Sequence, residues 1–527
     1  MAEPIVLTEE LGGSPLSRAA RAGELPQWYA TLPRDHAGWS DCAAAVRDGA
    51  PADWYARLRE GFSASGAAGE RLARAADGRG LVVTTGQQPG LFGGPLMTFV
   101  KALSARALAD TLSERLHIPV APVFWAATDD ADFAEAAVVS IAGRDGAREL
   151  RLESKGPSGT PMARTPLRYE VGALAEALRD ACGSAPHAEY LDAALDAYHQ
   201  GATVGGAYVA LLRRVLEPLE VSVLDVSHAA VSQAAAPLLG SAARAAEAIA
   251  GAVRDRTAEI VAAGFSPQVE EVPGLSLVSL NDGGVKRRLT IREAASLGAL
   301  RPDQFLSSTV LLRPVLERSL LPTMAYLGGP GEVAYFAQVT AVADALGLPR
   351  PLVAARWSTT IVEPRVNRVL HDLEITLEEL ATPNAAEGRL ARARVSPAME
   401  NALRALRGDL ASHVDSLRRA SHGVVPDAAV EGLERSIGHR VARFERRVVA
   451  GVKIREAELM RTVAAARGAL FPFGSRQERK LSFIPFLARY GPGLIERMLA
   501  EARTHARWLV FGTPAISAPS TSTTAAI

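Results

Sequence analysis

The chain has 527 residues, of which 48% are apolar and 22% are charged, a balance typical of globular proteins. At about 100–200 residues per domain, this length predicts two to four domains. The 58 basic and 58 acidic residues cancel, whereas a free nucleic-acid-binding protein usually carries a basic excess. Nucleic acid is therefore not expected as a partner, and we interpret the predominance of Arg over Lys as compositional bias.

The two cysteines, Cys42 and Cys182, are too few for a disulfide framework or a structural zinc site. They fit a reducing compartment. The N-terminal sequence shows no basic region followed by an apolar stretch, so a signal peptide is not expected. No apolar run approaches the roughly 20 residues that a membrane helix needs. We therefore expect a cytoplasmic protein that does not attach to a membrane.

The clearest pattern in the N-terminal half is a strand, a loop, a helix and a second strand, after a mixed helical segment over residues 1–80. The β-branched run Leu81–Thr85 predicts a buried strand, and Ile118–Ala127 predicts the next one. Between them, Pro95 suits the first turn of a helix that carries an apolar face. Such a unit favours a parallel sheet with a right-handed crossover.

The middle of the chain is less regular. Residues 145–200 and 232–300 are interpreted as connecting insertions, separated by a predicted sheet strand at Val221–Asp225. The turn Asn281-Asp282-Gly283-Gly284 predicts a hairpin within residues 268–290. The strand and helix pattern then returns near Pro322. It predicts a helix from about Glu332 to Leu346 and a strand at Leu352–Ala355. Residues 1–365 are accordingly expected to form one core.

Apolar residues recur at helical spacing after residue 365, in stripes at 370–380, 399–417 and 430–448. These stripes predict a helical coiled-coil segment over residues 366–465. The break at Ser421-His422-Gly423 would let the last two helices fold back as a hairpin. Residues 466–512 are expected to return to the core, and residues 513–527, rich in Ser, Thr and Ala, to be disordered.

The strongest candidate site is the glycine-rich loop between the first strand and its helix, Gly86–Pro95. Its glycines allow close approach of a ligand, and the helix end suits phosphate or carboxylate. The loop matches neither the dinucleotide fingerprint nor the phosphate-binding loop. The alternatives are a tight turn that needs small residues and, for the Lys, a solvated side chain. The candidate binding residues here are Gly86, Gln87, Gln88, Gly90, Gly93, Gly94 and Lys101.

Three carboxylates follow the second predicted strand, at Asp129, Asp130 and Asp132. If the two strands are adjacent, these side chains lie beside the glycine-rich loop. They could accept hydrogen bonds from sugar hydroxyls, orient an amine or hold a metal, and they are the candidate catalytic residues. The alternative is capping of the helix that follows, where Asp is favoured.

A second glycine-rich segment, Gly328–Glu332, enters the later predicted helix and implies a cleft lined by two helix N-termini. Arg356 follows the last buried run, where it could pair with an anionic ligand or lie on the surface. The ten histidines show no metal-ligand spacing, so no metal site is predicted. The candidate binding residues of this half are Gly329, Gly331, Glu332, Tyr335, Gln338 and Arg356.

Several motifs, found in one order along the chain, resemble the bacillithiol-biosynthesis cysteine-adding family, the cysteine ligases called BshC. The resemblance covers about residues 80 to 500. It implies an α/β fold with a Rossmann-like parallel-sheet core, related to nucleotidyl-transferases and class I synthetases, and a C-terminal coiled coil that supports a homodimer. The motifs are Thr85–Leu96, Pro122–Trp125, the acidic cluster, Arg313-Pro314, Gly329–Tyr335 and Gln477-Glu478-Arg479.

The resemblance also implies the last step of bacillithiol synthesis, in which cysteine is added to the amine of glucosaminyl-malate. The family's acidic cluster commonly reads Glu-Asp-His-Asp, but this chain has Ala131 at the histidine position. It also lacks the His-x-Gly-His and Lys-Met-Ser-Lys-Ser signatures of class I synthetases. Because a free carboxylate and an amine do not condense favourably in water, cysteine should be activated first, and ATP is the hypothesis for the nucleotide.

Two other functions stay open from the sequence alone. One is a sugar-nucleotide-dependent transferase that uses the same cleft. The other is a non-catalytic dimeric scaffold, suggested by the missing histidine and the long helices. For the dimer itself, the alternative is a monomer whose C-terminal helices pack back onto the core.

Overall fold

The computed structural model describes residues 3–153, 155–421 and 424–512. The chain divides into two compact units. The first unit comprises the described parts of residues 1–141, 148–363 and 476–522, and the second comprises residues 142–147 and the described parts of 364–475. The predicted break at His422-Gly423 and the predicted disordered tail 513–527 lie outside the described residues.

The strands are short and belong to four sheets. They are β1 (Ile5–Thr8), β2 (Leu81–Gln87), β3 (Val120–Ala126), β4 (Val138–Gly143), β5 (Gly146–Arg151), β6 (Ser222–Asp225), β7 (Leu275–Asp282), β8 (Val285–Thr290), β9 (Phe305–Ser308), β10 (Thr323–Gly328), β11 (Val353–Ala355) and β12 (Thr359–Val362).

Helices make up most of the remaining described residues. Those up to residue 345 are α1 (Pro15–Ala22), α2 (His36–Gly49), α3 (Trp54–Phe62), α4 (Gly66–Asp77), α5 (Leu96–Leu116), α6 (Phe133–Ala136), α7 (Glu170–Cys182), α8 (Ala188–Ala197), α9 (Val204–Leu216), α10 (Ala229–Arg244), α11 (Ala246–Ala262), α12 (Ile291–Ala295), α13 (Arg313–Leu320) and α14 (Pro330–Ala345). The second unit holds α15 (Pro364–Asp372), α16 (Leu377–Ala381), α17 (Ala385–Arg392), α18 (Pro397–Ala420), α19 (Asp427–Arg455) and α20 (Ala457–Leu470), and α21 (Ile484–Phe511) belongs to the first. In the ranges that the structure describes, no helix is both long and apolar enough to cross a membrane.

The centre of the first unit is a parallel five-stranded sheet in the order β11-β10-β2-β3-β6. Strands β2 and β3 are buried almost throughout, as expected for the middle of a parallel sheet covered on both faces. The chain runs outwards from β2 to β3 and β6, and then returns to the other side of β2 to form β10 and β11. The predicted α/β fold with a parallel sheet is confirmed.

Two of the smaller sheets, β1-β12 and β8-β7-β9, are antiparallel. The predicted hairpin forms from β7 and β8, and β9 pairs with the other edge of β7. The pairing of β1 with β12 was not predicted. Its partners, such as Ile5 and Val362, are far apart in the sequence, so no local pattern indicates that they pair.

The second unit is helical. Helices α18 and α19 form the predicted hairpin, in which Arg418 and Glu434 lie 3.0 Å apart and Val414 and Val441 are buried. The first predicted stripe is not one continuous coiled-coil seam. Helix α15 ends at Asp372 and α16 begins at Leu377, because Glu374 between them adopts a left-handed backbone (φ 49°).

Candidate active site

A cavity of about 330 Å³ lies at the carboxyl ends of the central parallel sheet. Strands β2 and β10, neighbours at the point where the strand order reverses, both lead into it, and this is where open α/β sheets bind ligands. Each strand of the sheet contributes to the wall at or near its last residue. These contributions are Gly86 and Gln87 at the end of β2, Trp125 and Ala127 at the end of β3, Val226 after β6, Gly329 after β10 and Arg356 after β11.

The glycine-rich loop lines this cavity with its first half only. Gly86 must be glycine, because a Cβ there would lie 2.8 Å from the backbone oxygen of Trp125. The second half is packed on the buried Tyr198, whose hydroxyl donates to Gly90 O (2.7 Å) and accepts from the N–H of Gly93 (3.2 Å). Gly90, Gly93 and Gly94, which were predicted as binding residues, therefore shape the loop and do not line this cavity.

Lys101 is neither solvated nor free to reach an anion. Its side chain is 3% exposed, and its Nζ lies 2.6 Å from the Glu332 carboxylate. It also donates to Gly86 O (2.7 Å) and to the Gln87 side chain (2.9 Å). Burial acts to raise the pKa of Glu332, but Lys101 and a hydrogen bond from Tyr326 outweigh it and hold that pKa below its usual value. This ion pair fixes the two glycine-rich segments beside each other.

A second buried cluster surrounds Arg313, which also lines the cavity. Its guanidinium donates to Glu317 (2.9 Å) and to the Tyr335 hydroxyl (2.9 Å), and it stacks over the Tyr326 ring. Thr84 donates to the other oxygen of Glu317. Burial raises the pKa of Glu317 to about 7, although Arg313 opposes the shift. Burial also raises the pKa of Tyr335 to about 12, so that residue presents a neutral hydroxyl to the cavity.

The three predicted catalytic carboxylates lie in three different environments. Asp129 is paired with Lys286 of β8, at 2.9 Å, and this Lys was not among the predicted site residues. Asp130 accepts a hydrogen bond from the Gln88 amide (2.6 Å) and one from the N–H of Asp132 (2.8 Å), and it has no basic partner among the residues that the structure describes. Asp132 caps α6 by accepting from two backbone N–H groups and lies outside the cavity. Asp129 and Asp130 line the cavity, whereas Asp132 serves the alternative role of a helix cap.

Arg356 lines the cavity but already has a partner. Its side chain is 1% exposed and forms a two-pronged ion pair with Glu478, with N–O distances of 2.7 and 2.9 Å. Its Nε is buried and has no hydrogen-bond partner in the described ranges of the chain. The next residue after Glu478, Arg479, is exposed and lines the same cavity. The sequence motif Gln477-Glu478-Arg479 contained this signal, but Arg479 was not among the predicted site residues.

Gln338, a predicted binding residue, does not line this cavity. Its side-chain amide bonds to both backbone groups of Val269 and to the Thr257 hydroxyl. Residues three apart on an α-helix are about 60° short of a full turn from each other. Gln338 is two such steps from Glu332, so its side chain leaves the helix about 120° away from that of Glu332. Gly329, Gly331, Glu332 and Tyr335 do line the cavity.

A second cavity, of about 310 Å³, lies beside the first. The two share four wall residues, which are Gln87, Gln88, Met97 and Arg479. Among the described residues, no group of three or more His, Cys, Asp or Glu side chains has an arrangement that could hold a metal ion.

Residues 52–357 match the family described as "Bacillithiol biosynthesis BshC, N-terminal Rossmann-like domain". Residues 359–507 match "Bacillithiol biosynthesis BshC, C-terminal coiled-coil domain". The chain belongs to the bacillithiol-biosynthesis BshC family. The family, the Rossmann-like fold class and the coiled-coil segment predicted from the sequence are thus confirmed.

Curated relatives from the BshC family match most of the chain. A protein of Solibacter usitatus is 33% identical over 81% of this chain and 83% of its own length. One from Koribacter versatilis is 31% identical over 82% and 84%, and one from Heliobacterium modesticaldum is 29% identical over 82% and 83%. Each carries the name "Putative cysteine ligase BshC".

Ala131, the position at which this chain departs from the expected family motif, does not line the cavity of about 330 Å³. Ala131 lines a separate cavity of about 110 Å³, together with residues of the segment 155–160. In this BshC-family chain, an imidazole at position 131 would therefore belong to a different wall from Asp129 and Asp130.

Proposed function

We propose that this BshC-family protein is a ligase that joins the carboxyl carbon of cysteine to the amine of glucosaminyl-malate, with loss of water overall. One observation carries the proposal. Among the described acidic residues that line the larger cavity, Asp130 alone has no Lys or Arg partner, since Asp129 pairs with Lys286 and Glu332 with Lys101. An uncompensated carboxylate at the end of a parallel sheet suits a substrate ammonium group.

Amide formation requires the amine to attack as a neutral nucleophile, so its ammonium form must lose a proton. Asp130 is the group that we propose to hold the ammonium and accept that proton. The Gln88 amide, at 2.6 Å, fixes the orientation of the carboxylate without neutralising its charge. Holding the two reactants in one cavity supplies the orientation on which such a reaction depends.

Activation of cysteine by ATP is part of the proposal. When bound, ATP would supply the free energy that makes the cysteine carboxylate an acyl donor. Two features fit its phosphates. The first-turn N–H groups of α14, which begins at Pro330 in the cavity wall, lack acceptors within the helix. Arg356 lines the same cavity, and its buried Nε has no hydrogen-bond partner among the described residues.

The test is product formation by the purified chain with cysteine, glucosaminyl-malate and ATP, measured by mass spectrometry, with each reactant omitted in turn. Asp130→Asn should abolish the amide product, because Asn neither pairs with an ammonium nor accepts its proton. Asp132→Asn is the matched control and should keep full activity, because Asn also caps helices well. Equal activity of both variants would contradict the role of Asp130.

A different result would favour the transferase. In that case the wild-type chain would form no amide, and a UDP-sugar would protect it from thermal unfolding whereas cysteine and ATP would not. Loss of bacillithiol in a deletion strain, restored by the wild-type chain but not by Asp130→Asn, would exclude a scaffold role.

We also propose that the chain forms a homodimer through α18 and α19. Although Val441 is buried within the unit, several large apolar side chains on these helices are exposed, and association would remove them from water. These exposed side chains are Met399, Leu406, Leu417, Leu433 and Phe444. We further propose a cytoplasmic location, which suits the two free cysteines, Cys42 and Cys182.

A further inference from the structure

The second cavity has an excess of basic side chains without partners. Arg151 in its wall is paired with Glu149 at 2.6 Å. Arg479 and Lys480 also line it, and in the part of the chain that the structure describes neither side chain forms an ion pair or hydrogen bond. With Glu135 as the remaining acid in the wall, the cavity is suited to an anionic group.

The backbone that carries these two cations is anchored on both sides. Before them, the Gln477 amide donates to Ile361 O (2.9 Å) and accepts from its N–H (2.8 Å), and Glu478 is paired with Arg356. After them, Leu96 N–H donates to Leu481 O at 2.7 Å. The backbone of this segment is therefore fixed, so only the two cationic side chains must become ordered when an anion binds.

The shared wall indicates which anion belongs there. Gln88 lines both cavities, and its amide donates to Asp130 in the first. In glucosaminyl-malate the amine is on the sugar carbon next to the one that bears the malate, so the amine and the two carboxylates lie close together. A ligand whose amine is at Asp130 therefore has its acidic half near the boundary between the cavities.

We propose that the second cavity binds the carboxylates of the amine substrate through Arg479 and Lys480, while its amine reaches Asp130 in the first cavity. This inference rests on the proposed function and assigns the first cavity to cysteine and its activating group. Arg479 and Lys480 are thereby substrate-binding residues that select an acidic aglycone.

The test is calorimetric measurement of the Kd of glucosaminyl-malate, methyl glucosaminide and ATP for the wild-type chain, Arg479→Gln and Lys480→Gln. Each variant loses one charge-assisted hydrogen bond, worth about 1.5–3 kcal/mol, so the Kd of glucosaminyl-malate should rise about 10- to 100-fold. The Kd of methyl glucosaminide, which lacks the acid, should stay within about twofold in both variants, and that of ATP should do so in Lys480→Gln, because Lys480 lines the second cavity and not the first. Arg59→Gln, on an exposed Arg of α3, is the matched control and should change none of them.

An unchanged Kd for glucosaminyl-malate in both variants would overturn the inference, as would a wild-type chain that does not bind this compound. A rise in the Kd of ATP alone would assign the two cations to a nucleotide phosphate and would overturn it as well. A wild-type chain that binds glucosaminyl-malate through Arg479 but forms no amide would leave the inference standing and refute the proposed function. Arg479→Lys should bind glucosaminyl-malate more tightly than Arg479→Gln, because Lys keeps the positive charge. This comparison distinguishes loss of the charge from a change in the fold.

Discussion

Replacing Glu478 by Gln removes the negative charge from the most deeply buried ion pair around the candidate site. The side chains of Arg356 and Glu478 are 1% and 2% exposed. Glu478 also accepts hydrogen bonds from the Ser358 hydroxyl (3.0 Å) and the N–H of Thr359 (3.4 Å). These contacts and Arg356 outweigh the effect of burial and hold the pKa of Glu478 below its usual value, so the native pair is charged.

The expected cost follows from what Arg356 keeps after the substitution. Its guanidinium stays charged at any pH that proteins tolerate, and it remains buried without a counter-ion. Breaking a buried pair in this way costs about 3–5 kcal/mol of the free energy of unfolding. The introduced Gln would in addition place its NH2 group, which is a donor, against the N–H donors of Arg356. Replacing both partners by Met should recover much of the loss, because no buried charge is then left alone.

Urea denaturation followed by tryptophan fluorescence measures this cost in the first unit, since all six tryptophans belong to it. The matched control is Asp196→Asn. Asp196 pairs with Arg214 at 2.7 Å, but the side chains of Arg214 and Asp196 are 53% and 68% exposed, so its loss should cost under about 1 kcal/mol. A Glu478→Gln variant no less stable than Asp196→Asn would refute the reasoning about the buried pair.

Four further predictions concern other residues of the chain. Gln88→Ala should lower kcat/KM for amide formation about 10- to 100-fold with little change in Tm, because the Asp130 carboxylate loses the hydrogen bond that orients it. Gln87→Ala should also lower Tm, because the buried Lys101 loses an acceptor. The raised pKa of Glu317, about 7, means that the folded state binds more protons than the unfolded state between pH 4.5 and 7. The free energy of unfolding should therefore fall as pH rises through that window, by at most about 1.4 kcal/mol per pH unit, and Glu317→Gln should remove this slope in urea titrations. Leu406→Asp combined with Phe444→Asp should convert a dimer to a monomer in sedimentation velocity at micromolar concentration, and a wild-type chain already at monomer mass would contradict the dimer.

The local sequence was sufficient to predict elements of the core. Strands β2, β3 and β6 were predicted because buried parallel strands are continuous apolar runs, and the hairpin at 281–284 because its turn needs Gly. The glycine-rich loops were recognisable as candidate site segments for a similar reason. Parallel strands end at one edge of a sheet, so residues after different strands, such as Gln87 and Asp130, were expected to lie together.

Only the tertiary structure decided which of these side chains face the cavity and with what charge. Lys101, Arg356 and Asp129 look alike as candidate ligand-binding groups in the sequence, yet each is neutralised by a distant partner, Glu332, Glu478 or Lys286. Such pairs join residues more than 100 positions apart, and a charge alone does not reveal its partner. Within the described part of the chain, the same long-range packing leaves Asp130 without a basic partner and Arg479 without an acidic one. It was therefore the fold, through burial and pairing, that determined which charges stay available to a ligand.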